Sequence, residues 1–261
     1  MNRYDKESII ISDFQDFSRH DVLLFPHSKK TISIFNSVHS KIKWKKWIDS
    51  SSKSELPPDF YNSKSKLMMD VMRIDDHAYV DSKGNVINPH NKRESELVKE
   101  LISKNEFIRE IAEQGHLFIT PYTGLSSYDD HNYNFYVNNF KRVIEKHIMK
   151  IKKYRCNHPG FKMIFFILDE SSPYVKCFDD NRPSKIGEII CGQPHTWWFD
   201  KNMMDCLINS DIDYIIWMTP YKHFNSIQKF ELPKATIIDI KSIDLNEMAH
   251  YNPSDMQSLE M

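Results

Sequence analysis

Apolar strands alternating with amphipathic helices predict an α/β fold, a mixed central sheet flanked by helices in a three-layer sandwich. Three observations carry this. The runs "MIFFIL" (163–168), "YIIWM" (214–218) and "ATIID" (235–239) are short and continuously apolar, as strands buried on both faces are. Residues 131–155 place Val137, Phe140, Ile144, Ile148 and Ile151 at helical spacing. Helix and strand patterns then alternate to residue 243.

Taken in order, "SIIISDF" reads as a short strand and "DVLLFPHS" runs into a turn. Residues 31–48 read as a helix on the spacing of Ile34, Val38, Ile42 and Trp44, with Lys41, Lys43, Lys45 and Lys46 at its C-terminal end. "DSSSKSELPP" is a polar loop. Residues 66–80 read as a strand, "DSKGN" as a turn and "VIN" as the returning arm of a hairpin. Residues 92–114 read as a helix faced by Leu97, Leu101, Ile108 and Ala112, with Gly115 as its cap. "HLFITPYTG" follows as a strand, and "NHPG" ends the 131–155 helix. "DKNMMDCLIN" is a short helix between strands. The whole chain, 1–261, reads as a single α/β domain, with an irregular Pro- and Gly-punctuated insertion at 171–199 and a tail at 247–261.

Composition narrows the class. Hydrophobic residues make up 40% of the 261, enough for a substantial core, and the net charge is −1. Any nucleic-acid site is therefore a local basic patch. The four cysteines (Cys156, Cys177, Cys191, Cys206) form no C-x-x-C pair, which argues against structural zinc and for reduced thiols in a cytoplasmic protein. The N-terminus lacks the pattern of a signal peptide, and no apolar run is long enough to span a bilayer.

The informative stretch is "PPDFYNSKSKLMMDVMRIDDH" (57–77). Side chains two apart on a strand share a face, so Met68, Asp70, Met72 and Ile74 point one way, and Met69, Val71, Arg73 and Asp75 the other. An ionised Asp70 among methionines needs a partner. That partner is either an Arg or backbone N–H groups, a structural role, or a divalent metal. Asp59, separated from Asp70 by ten residues and just after Pro57-Pro58, is the second acid such an ion would need.

Pro58-Asp59, followed by Asp70-Val71-Met72 at the end of an apolar run, resembles the motif of the PD-(D/E)XK nuclease superfamily. The resemblance spans residues 31–80. It implies a restriction-endonuclease-like mixed sheet, Mg²⁺ or Mn²⁺ held by Asp59 and Asp70, and hydrolysis of nucleic-acid phosphodiesters, DNA or RNA. Met72 stands where the family has Lys, and a thioether can neither move a proton nor stabilise an oxyanion. "TIIDIK" keeps an acid and a Lys, Asp239 and Lys241, with Asp213 upstream, but reads better as a strand meeting solvent.

Further candidates cluster at strand ends, where α/β proteins place ligands. Asp75 and His77 are candidate catalytic groups. Asp169 and Glu170 are candidate metal ligands that would join Asp70 and Asp75 in one acidic pocket if their strands are neighbours. Trp197 and Trp198, beside His195 and Phe199, either stack bases or plug the core, the core role being favoured. Arg142, Lys146, Lys150 and Lys153 form one row on the 131–155 helix, either a phosphate track or a solvated face. Tyr128, Asp129, Asp130 and His131 precede that helix and suit its N-cap. The expectation is a metal-dependent nuclease, possible as a homodimer. The alternative is a non-catalytic nucleic-acid- or protein-binding regulator on a degenerate nuclease-like fold.

Overall fold

The structure is a computed structural model that describes residues 7–50, 58–81, 83–113, 123–125, 131–178, 192–222 and 232–259. Its centre is β7 (Lys162–Asp169), in which every residue after Lys162 is buried. A strand inaccessible on both faces must be covered twice, and the chain supplies a helical layer for each face. β4 (Leu67–Ile74) pairs parallel to β7 on one side and β10 (Tyr214–Met218) pairs parallel on the other. Outward from β10 come β11 (Ala235–Asp239), antiparallel, and β1 (Val22–Phe25), parallel to β11. Outward from β4 come β3 (Phe60–Asn62) and β2 (Ile48–Asp49), each antiparallel to its neighbour. The seven-stranded order is β1-β11-β10-β7-β4-β3-β2. The predicted mixed sheet and three layers are what the chain builds.

Strand parity sorts the two cores. Met68, Met72, Phe165, Ile167, Ile215 and Trp217 pack under α6 (Tyr133–Asn157) and α7 (Lys201–Ile208). Met69, Val71, Ile164, Phe166, Ile216 and Met218 pack under α1 (Glu7–Gln15) and α2 (Lys29–His39). "SIIISDF" is thus helix, not strand: Ile10, Ile11 and Phe14 form one buried helical face against the sheet. The helix read over 31–48 breaks at Ser40, whose side chain accepts from Lys43 N and starts the short α3 (Lys41–Trp44).

Between β4 and α6 the chain makes a hairpin, β5 (Tyr79–Val80) with β6 (Val86–Ile87), then α4 (Pro89–Lys104) and α5 (Glu106–Glu113). The helix read over 92–114 divides at Asn105, whose Oδ1 accepts from Ile108 N. No described side chain of α4 or α5 is buried, and Phe107 is 68% exposed. The strand read at 116–124 and the cap at Gly115 fall almost entirely outside the described residues, as do Tyr128, Asp129 and Asp130. Asn132 caps α6, accepting from Phe135 N.

The stretch read as irregular, 171–199, holds β8 (Tyr174–Cys177) and β9 (Gly192–Pro194). The C-terminal residues are not a loose tail: β12 (Met256–Ser258) pairs antiparallel with β8, and with β9 they form a second, three-stranded sheet. Among the described residues, no helix is long and apolar enough to cross a membrane.

Candidate functional site

The site begins where β3 stops. Phe60 pairs with Met69, so the register carried back one residue sets Asp59 opposite Asp70. Ser50, buried, fixes this turn: its N–H donates to Asp59 O at 2.8 Å and its hydroxyl to Pro58 O at 2.5 Å. Among the described residues no β3 backbone carbonyl accepts from Val71 N. The Asp59 carboxylate takes that place, Oδ2 accepting from Val71 N at 2.7 Å. A strand edge is thereby finished by a side chain, and that side chain is brought against Asp70.

Asp70 is only 2% exposed. Its Oδ2 lies 2.5 Å from His147 Nδ1, and the Tyr154 hydroxyl approaches its two oxygens at 3.3 and 3.4 Å. Both partners come from α6, which lies over the Asp70 face of β4. The Asp59 carboxyl is pushed up to about 7, by burial first and then by the Asp70 charge and a hydrogen bond to it, with Glu7 adding to the same effect and the Val71 N–H opposing it. Burial and the Asp70 charge beside it hold the proton on Asp59, and a proton or a cation is what relieves such a pair. Tyr154 is held protonated, by burial first and then by the Asp70 and Asp59 charges.

Past Asp59 no described strand pairs with this side of β4, and a cavity of about 360 Å³ lies beside Val71 to Arg73. Its lining comes from three elements: Glu7 and Ile10 of α1, Val71 to Arg73 of β4, and Arg142, Val143, Lys146 and His147 of α6. Two members of the basic row, Arg142 and Lys146, therefore stand on the wall of a cavity beside Asp70. Lys150 and Lys153 continue the row along α6, half-buried and exposed respectively. Met72 packs in the core under α6 and also lines the cavity, so the position of the expected lysine presents a thioether to it and no cation.

The other acids do not converge here. β4 and β7 are neighbours, as the acidic-pocket expectation required, but Asp70 is in register with Phe165, and Asp169 with Ile74. Four residues of strand, about 13 Å, separate the two levels. Asp169 is fully buried and committed elsewhere: Lys222 Nζ lies 2.8 Å from Oδ2, Tyr136 OH and Trp217 Nε1 donate to the same oxygen, and Ser171 donates to Oδ1. Burial alone would raise its carboxyl, but the Lys222 charge and these hydrogen bonds prevail and hold it below the usual range. Glu170 pairs with Arg73 at 2.6 Å. As metal ligands alongside Asp59 and Asp70, Asp169 and Glu170 are corrected.

Asp75 and His77 also lie away from Asp70, past the end of β4. Asp75 Oδ1 accepts from His77 N and from Asn139 Nδ2. The His77 ring packs against His90 at a tilt, 4.4 Å between centroids, and meets His131 edge-on. Trp197 is wholly buried and Trp198 nearly so, packed against each other in the core, so Trp197 offers no face to a base. His195 is buried beside Asp200, 2.7 Å from its Oδ2. Asp213 and Asp239 serve the fold: Asp213 accepts from Met163 N, and Lys30 lies 3.4 Å from Asp239.

The groups not foreseen are His147, Tyr154, Asn139 and Glu7. His147 and Tyr154, seven apart, lie on the flank of the stripe formed by Ile144, Ile148 and Ile151. Polar-tipped rings on the core-facing side of a helix are the signal that points to a buried partner such as Asp70.

Among the described residues no three His, Cys, Asp or Glu side chains are arranged to hold a metal ion. The donor set at Asp59 and Asp70 is two carboxylates. That fits Mg²⁺, which takes one or two carboxylates and completes its shell with water and substrate oxygens, and does not fit a closed structural site. Compared with models of known protein families, with curated proteins and with solved structures, the chain gives no match.

Proposed function

We propose that the chain is a Mg²⁺- or Mn²⁺-dependent nuclease, hydrolysing nucleic-acid phosphodiesters beside Asp59 and Asp70 at the edge of β4. The observation that carries this reading is the Asp59–Asp70 pair, two carboxyl groups side by side with Asp59 pushed up to about 7, linked through His147 to a cavity that Arg142 and Lys146 help to line. A divalent ion relieves that repulsion. Asp59 and Asp70 would hold it, and when bound it supplies a polarised phosphoryl oxygen and a more acidic water.

The chain's own residues do the rest. His147 and Tyr154 fix the Asp70 carboxylate and leave Asp59 as its neighbour. Arg142 and Lys146 attract the phosphate, and Lys150 and Lys153 extend the positive row for the adjoining backbone. The cation that Met72 does not provide comes from α6, not from the strand. The sheet order, with the Asp59 and Asp70 strands adjacent and β7 parallel beyond them, is compatible with the superfamily that the motif resembles.

A second reading has its own support. The 2.5 Å contact of His147 with Asp70 already gives that carboxylate a partner, and Met72 is core. A regulator that binds nucleic acid without cutting it would look the same. The deciding experiment is incubation of labelled linear and circular DNA and RNA with Mg²⁺ or Mn²⁺ against EDTA. Cleavage by the wild type, falling to the EDTA level in Asp70→Asn and Asp59→Asn, supports the nuclease. Absence of metal-dependent cleavage, or cleavage indifferent to both substitutions, rejects it.

A further inference from the structure

We infer that the cavity beside Asp70 is a phosphate subsite whose anchor is the Arg142 guanidinium, positioned by Asn139 and Asp75. The inference rests on the reading of this cleft as one that takes nucleic acid, but it concerns binding and stands apart from cleavage.

Arg142 is placed before any ligand arrives. Its Nε and Nη2 both donate to Asn139 Oδ1, at 3.2 and 2.5 Å. Asn139 is 4% exposed, and its amide donates in turn to Asp75 O at 3.0 Å and Asp75 Oδ1 at 3.2 Å. Asp75 is itself pinned, its Oδ1 accepting from His77 N. The chain Asp75–Asn139–Arg142 thus runs from the strand-end turn, through the buried side of α6, to the cavity wall. A guanidinium has five N–H donors. Asn139 takes two, on one edge of the fork, and the edge carrying Nη1 is left to an anion. A fixed planar fork suits a phosphate better than a mobile ammonium does.

The charges around the cavity agree. Of its described lining residues, Arg73, Arg142 and Lys146 are cationic, His147 is an imidazole, and Glu7 is the acid. Glu170 neutralises Arg73 at 2.6 Å. Among the described residues neither Arg142 nor Lys146 pairs with a carboxylate, so an anion entering the cavity meets positive charge that those residues leave unpaired. The volume, about 360 Å³, falls at the small end of ligand pockets, roughly 300–1,000 Å³. Lys150 and Lys153 lead away along α6, which favours a nucleotide chain over a free phosphate.

Binding can be read in EDTA, where no metal-dependent turnover occurs. Anisotropy of a dye-labelled single-stranded oligonucleotide, with inorganic phosphate and a mononucleotide as competitors, reports the subsite. Wild type should bind the oligonucleotide more tightly than either competitor. Arg142→Gln should weaken binding about tenfold or more. Arg142→Lys should recover only part of that loss, and Lys153→Gln should chiefly lower the salt dependence. Asn139→Ala, with Arg142 intact, should weaken the oligonucleotide several-fold while leaving the salt slope as in wild type. That is the mark of a positioning residue.

Arg142 is half-exposed, so Arg142→Gln, its melting temperature checked against wild type, is the deciding variant. Binding by Arg142→Gln within twofold of wild type overturns the subsite, as does a wild type that fails to bind. Phosphate binding with no gain for the oligonucleotide overturns the nucleotide chain as the ligand. Intact, Arg142-dependent binding without cleavage leaves the subsite standing and removes the nuclease, so the two failures are distinguishable.

Discussion

His147 Nδ1 lies 2.5 Å from Asp70 Oδ2, joining the middle of α6 to the middle of β4 through a carboxylate that is almost wholly buried. Removing the imidazole strands that carboxylate. His147→Ala should therefore lower stability by about 2–3 kcal/mol, read as a shift in urea midpoint. Asp70→Asn should cost less, since a neutral amide is cheaper to bury than a carboxylate and can still hydrogen-bond the imidazole. The double variant should sit well short of the sum. Full additivity would mean that the two side chains do not interact in solution.

The pH dependence of Asp59 has a definite sign. Its carboxyl is raised from 3.8 to about 7 on folding, chiefly by burial. As pH rises the unfolded chain releases this proton first, so folding stability falls between those two values and then levels off. The slope from this one group is at most about 1.4 kcal/mol per pH unit. Asp59→Asn removes it. Its gain in melting temperature over wild type should be small at pH 4, grow through pH 6 and be greatest at pH 8.

A divalent ion offers the same relief without mutation. At pH 8, millimolar Mg²⁺ or Mn²⁺ should raise the melting temperature of wild type, by mass action on the folded state. Asp59→Asn and Asp70→Asn should lose most of that rise. An equal rise in all three proteins would place the ion elsewhere.

Lys222 and Asp169 form a buried ion pair that anchors the C-terminal ends of β7 and β10. Lys222→Met leaves Asp169 uncompensated and should cost about 3–5 kcal/mol. Because folding lowers the Asp169 carboxyl, its contribution is present at neutral pH and lost as pH falls through the folded value. Wild type should accordingly lose stability on acidification below the ordinary carboxylate range. The Lys222→Met/Asp169→Asn double variant should lose less over the same interval.

Gly192 pairs with Cys177 in the small sheet, and a Cβ there would stand 2.3 Å from the Lys176 carbonyl oxygen and 2.3 Å from Val175 Cγ1. The carbonyl belongs to the neighbouring strand and cannot turn aside. Gly192→Ala should destabilise by about 1–3 kcal/mol and open the β8–β9 pairing.

How far the chain could be read in advance depended on where each partner lay. The face of Asp70 follows from strand parity, and Asp59 from its place after Pro58, because both are local to "PPDFYNSKSKLMMDVM". The buried runs around Phe165 and Ile216 announced the sheet for the same reason. His147 is 77 residues from Asp70 and Asn139 is 64 from Asp75, and those contacts exist only once α6 crosses over β4. The acids of "LDESS" misled for a related reason. Asp169 ends a strand beside β4, but register sets it opposite Ile74, and Lys222 claims it from 53 residues away. "SIIISDF" shows the local limit: a three-isoleucine run suits strand or helix until Phe14 and the sheet decide which face is covered.

The helices α4 and α5 bury no described side chain, so their hydrogen bonds are guarded by little more than their own turns. Helices of this length are marginal alone in water. Their amide protons should exchange with solvent deuterium through openings that leave β7 intact, orders of magnitude sooner than those of Phe165 or Ile167. The chain then carries two clocks, a slow one set by the unfolding of the sheet and a fast one ticking in the stretch between β4 and the helix that bears Arg142.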